Sequence, residues 1–350
     1  MTHKEALFFI GKCLTISHEE NNLKSISKQI KSGLVDWEAV VKVSTSHYVF
    51  PALYCNLKRV NLLSFLPEDL VSYMKHITDL NRERNLQIIE QAKGINQFLT
   101  DNGITPIFLK GTGFLLQGAY TDVAERMVGD IDFLVSNKDF FKTVNLIEGN
   151  DYKKTTDKLS NPIIAKHYPR LMKESEIAAV EIHKEMLKGK GTSYFNYVQV
   201  SKSIICKNGV AFLGLQDQLV LTILAKQYND DGRFYKTINL RNSYDLYLLS
   251  HQVNSLHSIS NYKKFFNILN SYLAYSSLFL NTLIIDFKNK RKARFSSKLL
   301  LTQIKYPFYG RLHKSFWKRV LYTRLKFLGL IRFSSNREFR KFYIKKLLSS

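Results

Sequence analysis

The chain has 350 residues, 45% hydrophobic and 23% charged, which excludes a disordered polymer and allows a substantial core spread over two or three domains. Six prolines and sixteen glycines favour long helices over a loop-rich β protein. Cys13, Cys55 and Cys206 form no CxxC pair, which excludes a zinc-ribbon spacing or a disulfide framework and fits a reducing, cytoplasmic compartment. The net charge of +23 is uneven, because residues 288–350 hold nineteen Lys or Arg against one acid, Glu338.

Residues 1–100 read as a helical region. The apolar start, MTHKEALFFIGKCL, lacks a small-residue cleavage site and is expected to be the first helix of the fold. Leu23, Ile26, Ile30 and Leu34 recur at spacings of three or four, and Asp36 is placed to cap a helix from Trp37. Glu68 to Leu99 contains no proline and no glycine before Gly94, which predicts one long helix. Asp101-Asn102-Gly103 then predicts a turn with Gly103 at positive φ.

The pattern changes at Ile104. Ile104–Leu109 reads as a strand, Lys110-Gly111-Thr112-Gly113 as a glycine turn, and the stretch to Tyr120 as a helix. Met127–Val135 is a second strand, Asp139–Glu148 a helix and Ile177–Ile182 a third strand. This alternation predicts an α+β fold with a small mixed sheet over residues 101–210, and a helical region over 211–287 that completes a cleft. The uncharged run Phe265–Ile285 is long enough to span a bilayer, but Asn267, Asn270 and Asn281 favour a buried helix. Residues 288–350 form a basic tail.

The chemistry concentrates in Gly129-Asp130-Ile131-Asp132. On a strand, alternate residues share a face, so Asp130 and Asp132 point one way while Ile131, Phe133 and Val135 point into a core. Two adjacent carboxylates repel unless a cation stands between them, and removing either is expected to relieve that repulsion. Magnesium suits hard oxygen ligands of this kind, with manganese as the alternative ion. In Val180-Glu181-Ile182-His183, Glu181 and His183 share a face, and Glu181 supplies a third carboxylate. The glycine turn offers backbone N–H groups and a helix N-terminus to phosphate, with Thr112 adding a hydroxyl and Lys110 a charge. It is not a P-loop, since the GxxxxGK[ST] spacing is absent. Arg126 is a candidate phosphate contact or a partner for the acids. His167 and Arg170 are candidate accessory residues beside the third strand. Lys226, Tyr228 and Arg241 could reach base or phosphate from the helical region.

The run PIFLKGTGFLLQGAY…ERMVGDIDFLV…AAVEIHKEM resembles a bacterial nucleotidyltransferase family described as uncharacterised, which is similar to the DNA polymerase β superfamily. The resemblance spans about residues 80–250. It rests on Leu109-Lys110-Gly111, Tyr120, Arg126, Asp130, Asp132, Glu181 and His183 in that order. It implies that the Gly111 turn holds the phosphates of an NTP, and that Asp130, Asp132 and Glu181 bind metal ions. It further implies transfer of a nucleoside monophosphate to a hydroxyl acceptor, which could be a sugar, a metabolite, a protein or RNA. The chain departs from the superfamily in having Lys110-Gly111-Thr112 where Gly-Ser or Gly-Gly is usual, and a Glu as third carboxylate where Asp is common. The competing reading is a non-catalytic nucleotide-binding or scaffold protein that works through its tail.

The tail interleaves Leu300, Ile304, Phe308, Phe316, Trp317, Val320, Leu321, Leu325 and Leu328 with its charges at helical spacing, which predicts amphipathic helices with a basic face. Three destinations follow: packing on the body, an anionic membrane surface with a peripheral place at the inner membrane, or nucleic acid. No strong nucleic-acid motif is present.

Overall fold

A computed structural model describes residues 1–155, 166–337, 339–341 and 344. The tail's one acid, Glu338, and its last cations, Lys345 and Lys346, lie outside the described residues. Four helices open the chain: α1 His3–Cys13, α2 Glu20–Lys31, α3 Trp37–Ser46 and α4 Phe50–Arg59. The long helix α5, Glu68–Asp101, follows. The sheet region comprises β1 Ile107–Phe108, α6 Lys110–Gln117, β2 Asp130–Leu134, α7 Phe140–Gly149, β3 Lys153–Lys154, β4 Leu171–Met172 and β5 Ala179–His183. It continues through α8 Tyr197–Val200 into β6 Ile205–Lys207 and β7 Val210–Phe212. Helices close the chain: α9 Leu215–Leu224, α10 Gly232–Tyr235, α11 Leu240–Ser250, α12 Ser255–Ser260, α13 Phe266–Leu280, α14 Arg291–Lys305 and α15 Pro307–Ser335.

The seven strands form one mixed sheet in the order β3-β4-β5-β2-β1-β7-β6. β2 and β5 pair in parallel at its centre, with Asp132 opposite Glu181 and Leu134 opposite His183. Ile131, Phe133, Val180 and Ile182 are fully buried on the other face, as strand alternation requires. The α+β class and the helix-flanked mixed sheet agree with the sequence expectation. So do the Asp36 cap, which accepts from the Ala39 N–H at 3.0 Å, and the positive φ of Gly103.

Helix α5 extends roughly 50 Å at 1.5 Å per residue and carries a row of buried amides. Asn81 donates to Ala124 C=O at 2.7 Å, and Asn85 to Arg126 C=O at 2.7 Å. Gln91 donates to Ala178 C=O at 2.9 Å and accepts from the Ala178 N–H at 3.0 Å. Irregular backbone cannot satisfy its own polar groups when buried. These amides do so, and thereby fix where the segment before β2 and the start of β5 sit.

The Phe265–Ile285 run forms α13, ten of whose residues are buried. No helix among the described residues is long and apolar enough to cross a membrane. The tail divides. Helix α14 packs on the body through Ala293, Ser296 and Leu300, whereas α15 buries no residue.

Candidate active site

The site stands on the face of the β2–β5 pair opposite those core side chains, where Asp132 and His183 are buried and Asp130 and Glu181 half-buried. The parallel register sets Asp132 beside Glu181, and His183, one strand period further, turns its ring back toward both. His183 Nε2 lies 2.8 Å from Asp132 Oδ1 and 3.4 Å from Glu181 Oε2. Ligand atoms of Asp132, Glu181 and His183 all fall within 4.8 Å of one another, a spacing that can hold a metal ion. Asp130 joins the group through Arg170, whose Nη2 reaches Asp130 Oδ2 at 2.7 Å and Glu181 Oε1 at 3.3 Å. Lys110 donates to Asp132 Oδ1 at 2.5 Å. The His167 ring lies 5.1 Å from that of His183, tilted by 53°.

Three carboxylates are thus met by the protein's own cations, and the two aspartates respond differently. Burial opposes the ionisation of Asp132, but Lys110 and His183 outweigh it and hold the carboxyl well below the ordinary range. Burial raises the Asp130 carboxyl, Arg170 only partly offsets it, and the neighbouring Glu181 and Asp132 charges add to the rise. The expected mutual repulsion therefore bears on Asp130 and not on Asp132, which is attracted more than repelled. Burial also works against the Lys110 ammonium, yet Asp132 raises its pKa.

The corner between β1 and α6 differs from the expected glycine turn. The helix begins directly at Lys110, which itself adopts a left-handed backbone with φ +51°. Gly111 serves packing: a Cβ there would meet Val128 Cγ2 at 2.8 Å. Gly113 is equally constrained, since a Cβ would meet Phe108 C=O at 2.9 Å. Thr112 is buried and donates its hydroxyl to Asp130 C=O at 2.8 Å, so it positions the β2 strand rather than presenting a free hydroxyl to phosphate.

A cavity of about 210 Å³ opens beside Lys110, between this corner and helices α9 and α11. Lys110, Arg126, Lys166, Lys226 and Arg241 all contribute to its wall. Arg126 is buried in an ion pair with Asp245 at 2.9 Å and donates to Met127 C=O at 2.8 Å. Tyr120 also hydrogen-bonds Asp245. Arg126 therefore reaches the cavity as part of a wall anchored to α11, and its committed partner is Asp245 rather than Asp130, Asp132 or Glu181. Arg241 has a buried Nε without a hydrogen-bond partner, and burial together with Arg126 pushes its pKa down to about 10. Burial and the nearby Lys110 push Lys166 down to about 8. Tyr228 does not line the cavity; its ring lies 3.8 Å beneath the Arg233 guanidinium.

Sequence reasoning thus assembled Asp130, Asp132, Glu181, His183, His167, Arg170 and Lys110, and the fold brings all seven together. It missed Lys166 and Asp245, which complete the cavity. Neither belongs to a motif: Lys166 lies in a bend just before His167, outside any helix or strand, and Asp245 comes from α11.

Among curated proteins and among solved structures, none matches the chain. One family model matches residues 33–281, a stretch that contains the sheet, the acids and the cavity. The chain belongs to the family described as uncharacterised nucleotidyltransferase.

Proposed function

We propose that the protein transfers a nucleoside monophosphate from an NTP to a hydroxyl acceptor, with Mg²⁺ or Mn²⁺ held by Asp130, Asp132 and Glu181. The observation that carries this reading is the β2–β5 register, which sets two of these carboxylates side by side next to a cavity crowded with cations. Oxygen-rich donors suit a hard divalent ion, and the neighbouring His183 serves best as the group that orients Asp132 and Glu181. Such an ion supplies neutralisation of charge on the reacting phosphate.

The remaining chemistry falls to the chain. Lys110, Arg126 and Lys226 are paired with Asp132, Asp245 and Asp230, which leaves Lys166 and Arg241, pushed down by burial and neighbouring cations, as the charges that a bound polyphosphate would relieve. Lys110 sits at the boundary between acids and cavity and would bridge the two. Phe108, Phe114 and Leu221 provide apolar wall for a base. On the far side of Lys166 a groove of about 660 Å³ is walled by His167, Leu187, Lys188 and Arg332. This groove gives the acceptor its approach, and its cations suit an acceptor that bears negative charge.

The test incubates the purified protein with each labelled NTP, magnesium or manganese, and a panel of phosphorylated and neutral hydroxyl compounds, and measures pyrophosphate release. Metal-dependent release with label on an acceptor supports the reading. Lys110→Ala should weaken NTP binding about tenfold or more, as expected for loss of a charge-assisted contact. Unchanged affinity would return Lys110 to a purely structural role.

A further inference from the structure

Helix α15 runs 29 residues from Pro307 to Ser335 without burying one of them. It touches the body along a narrow line of Gly310, His313, Trp317 and Leu321, spaced three or four apart and half-buried. The Trp317 ring lies 4.8 Å from that of Phe234 of α10, tilted by 35°, and Trp317 donates to His313 at 3.1 Å. Arg332, near its end, also reaches the groove beside Lys166; elsewhere the surface of α15 faces out, and it exposes twelve large apolar side chains. Folded proteins seldom display such a patch without a use for it.

The outward residues are sorted by chemistry. At about 100° per residue, Tyr309, Leu312, Phe316, Val320, Phe327 and Leu330 share one arc of roughly 100°, and no Lys or Arg falls within it. Arg311, Lys314, Lys318, Arg319 and Lys326 occupy the adjoining arc. No acid occurs anywhere from Phe287 to Arg337. Tyr322 and Leu325 stand among these cations and are exposed as well, so the cations flank a cation-free apolar stripe and are themselves interleaved with apolar side chains, the pattern of a basic helix lying in the plane of a lipid surface.

We propose that α15 seats the protein on an anionic lipid surface. The apolar stripe enters the boundary between headgroups and acyl chains, and the basic stripe meets lipid phosphates. Charge selects this occupant over the others. A second copy of the chain docking stripe to stripe would bring two basic faces together without an acid to separate them. A nucleic acid would satisfy the cations and leave the aromatic and aliphatic stripe in water. The proposal is independent of the catalytic reading, since none of the stripe residues touches the acids or the cavity.

Vesicle flotation of the full chain tests it, with phosphatidylcholine alone against phosphatidylcholine mixed with phosphatidylglycerol. Anionic vesicles should bind the protein at least about tenfold more tightly than neutral ones, given the gain per Lys or Arg near such a surface. Combined Leu312→Ser, Phe316→Ser and Phe327→Ser should reduce binding about tenfold or more at unchanged charge. Lys318→Glu with Arg319→Glu should reduce it about 25-fold or more. Circular dichroism verifies that the variants are folded. Full vesicle binding by the serine variant overturns the proposal, because only charge would then matter. Duplex DNA binding tighter than vesicle binding and insensitive to the serines overturns it in favour of nucleic acid. A dimer abolished by the serines, with no vesicle binding by wild type, overturns it in favour of a second copy.

Discussion

On β2 and β5 the charges are inside, and on α15 the apolar side chains are outside. The first arrangement is costly unless every buried charge finds a partner. Lys110, His183 and Arg170 meet that requirement for Asp132, Asp130 and Glu181. The second is costly unless something covers the stripe, and no covering element exists among the described residues. The acid centre is therefore solved within the chain, held by α5 from behind and by Lys110 from the front. The helix is left for a surface outside the chain. Departures from inside-apolar, outside-polar order fall where a protein works, and here there are two such places with opposite signs.

The largest effect should come from the acids. Asp132→Asn should cut metal-dependent turnover about 100-fold or more, the range seen when a preorganised electrostatic group is lost, read as pyrophosphate release. The same residue distinguishes the two aspartates without any substrate. Asp132→Asn should destabilise the metal-free protein by about 1–3 kcal/mol, because Lys110 and His183 lose their anion. Asp130→Asn should be neutral or stabilising, because its ionised form is disfavoured in the fold. Urea unfolding measures both. The pH dependence has a definite sign. The depressed carboxyl of Asp132 contributes stability above about pH 4, its unfolded value, and loses it as pH falls further. Asp130, with a raised carboxyl, contributes in the other direction and loses stability as pH rises through its folded value. Asp132→Asn should thus flatten the acid limb of the stability curve, and an unchanged limb would remove Asp132 from the centre of the charge network.

Gln91→Leu should come next. It strips both hydrogen bonds from the buried Ala178 backbone, three residues before Glu181, and should cost about 2–4 kcal/mol for two orphaned groups. Denaturant titration reads the loss, and an effect below about 1 kcal/mol would mean that β5 holds its place without α5. The smallest effect belongs to α15. The serine triple variant should leave unfolding free energy within about 0.5 kcal/mol of wild type, as for exposed positions away from the core. A large loss there would show that the stripe stabilises the fold after all and would erase the contrast.

How far the sequence discloses these regions depends on period and length. β2 and β5 were readable because five alternating residues on each separate acids from core apolars. α5 was readable because its 34 residues pass without a proline. β3 and β4 have two residues each, too few to show a period. The β6–β7 hairpin went unread, although Asn208-Gly209, both at positive φ, is a turn signal between short runs. The acids were legible as motifs, whereas Lys166 follows a stretch without periodicity and Asp245 reads as an ordinary polar position on a helix. Thr112 misled because its hydroxyl was assigned to a ligand, and the backbone of Asp130 claimed it first. The tail's helices were legible from their spacing, but which one packs was not. Burial of α14 depends on α13, which its own pattern does not encode.

Lys110 carries a wider consequence. A left-handed backbone at a residue other than glycine or asparagine costs about 1–3 kcal/mol, and this one opens a helix. Glycine would relax the corner and leave Asp132 without its ammonium. Arginine would keep the charge but spread it over a planar fork where a compact ammonium now meets a single oxygen. Folding and charge neutralisation therefore rank the amino acids at position 110 in nearly opposite orders. A site of this kind gives adaptation little room, because substitutions that ease the backbone undo the electrostatics. The corner is where this chain should tolerate exchange least.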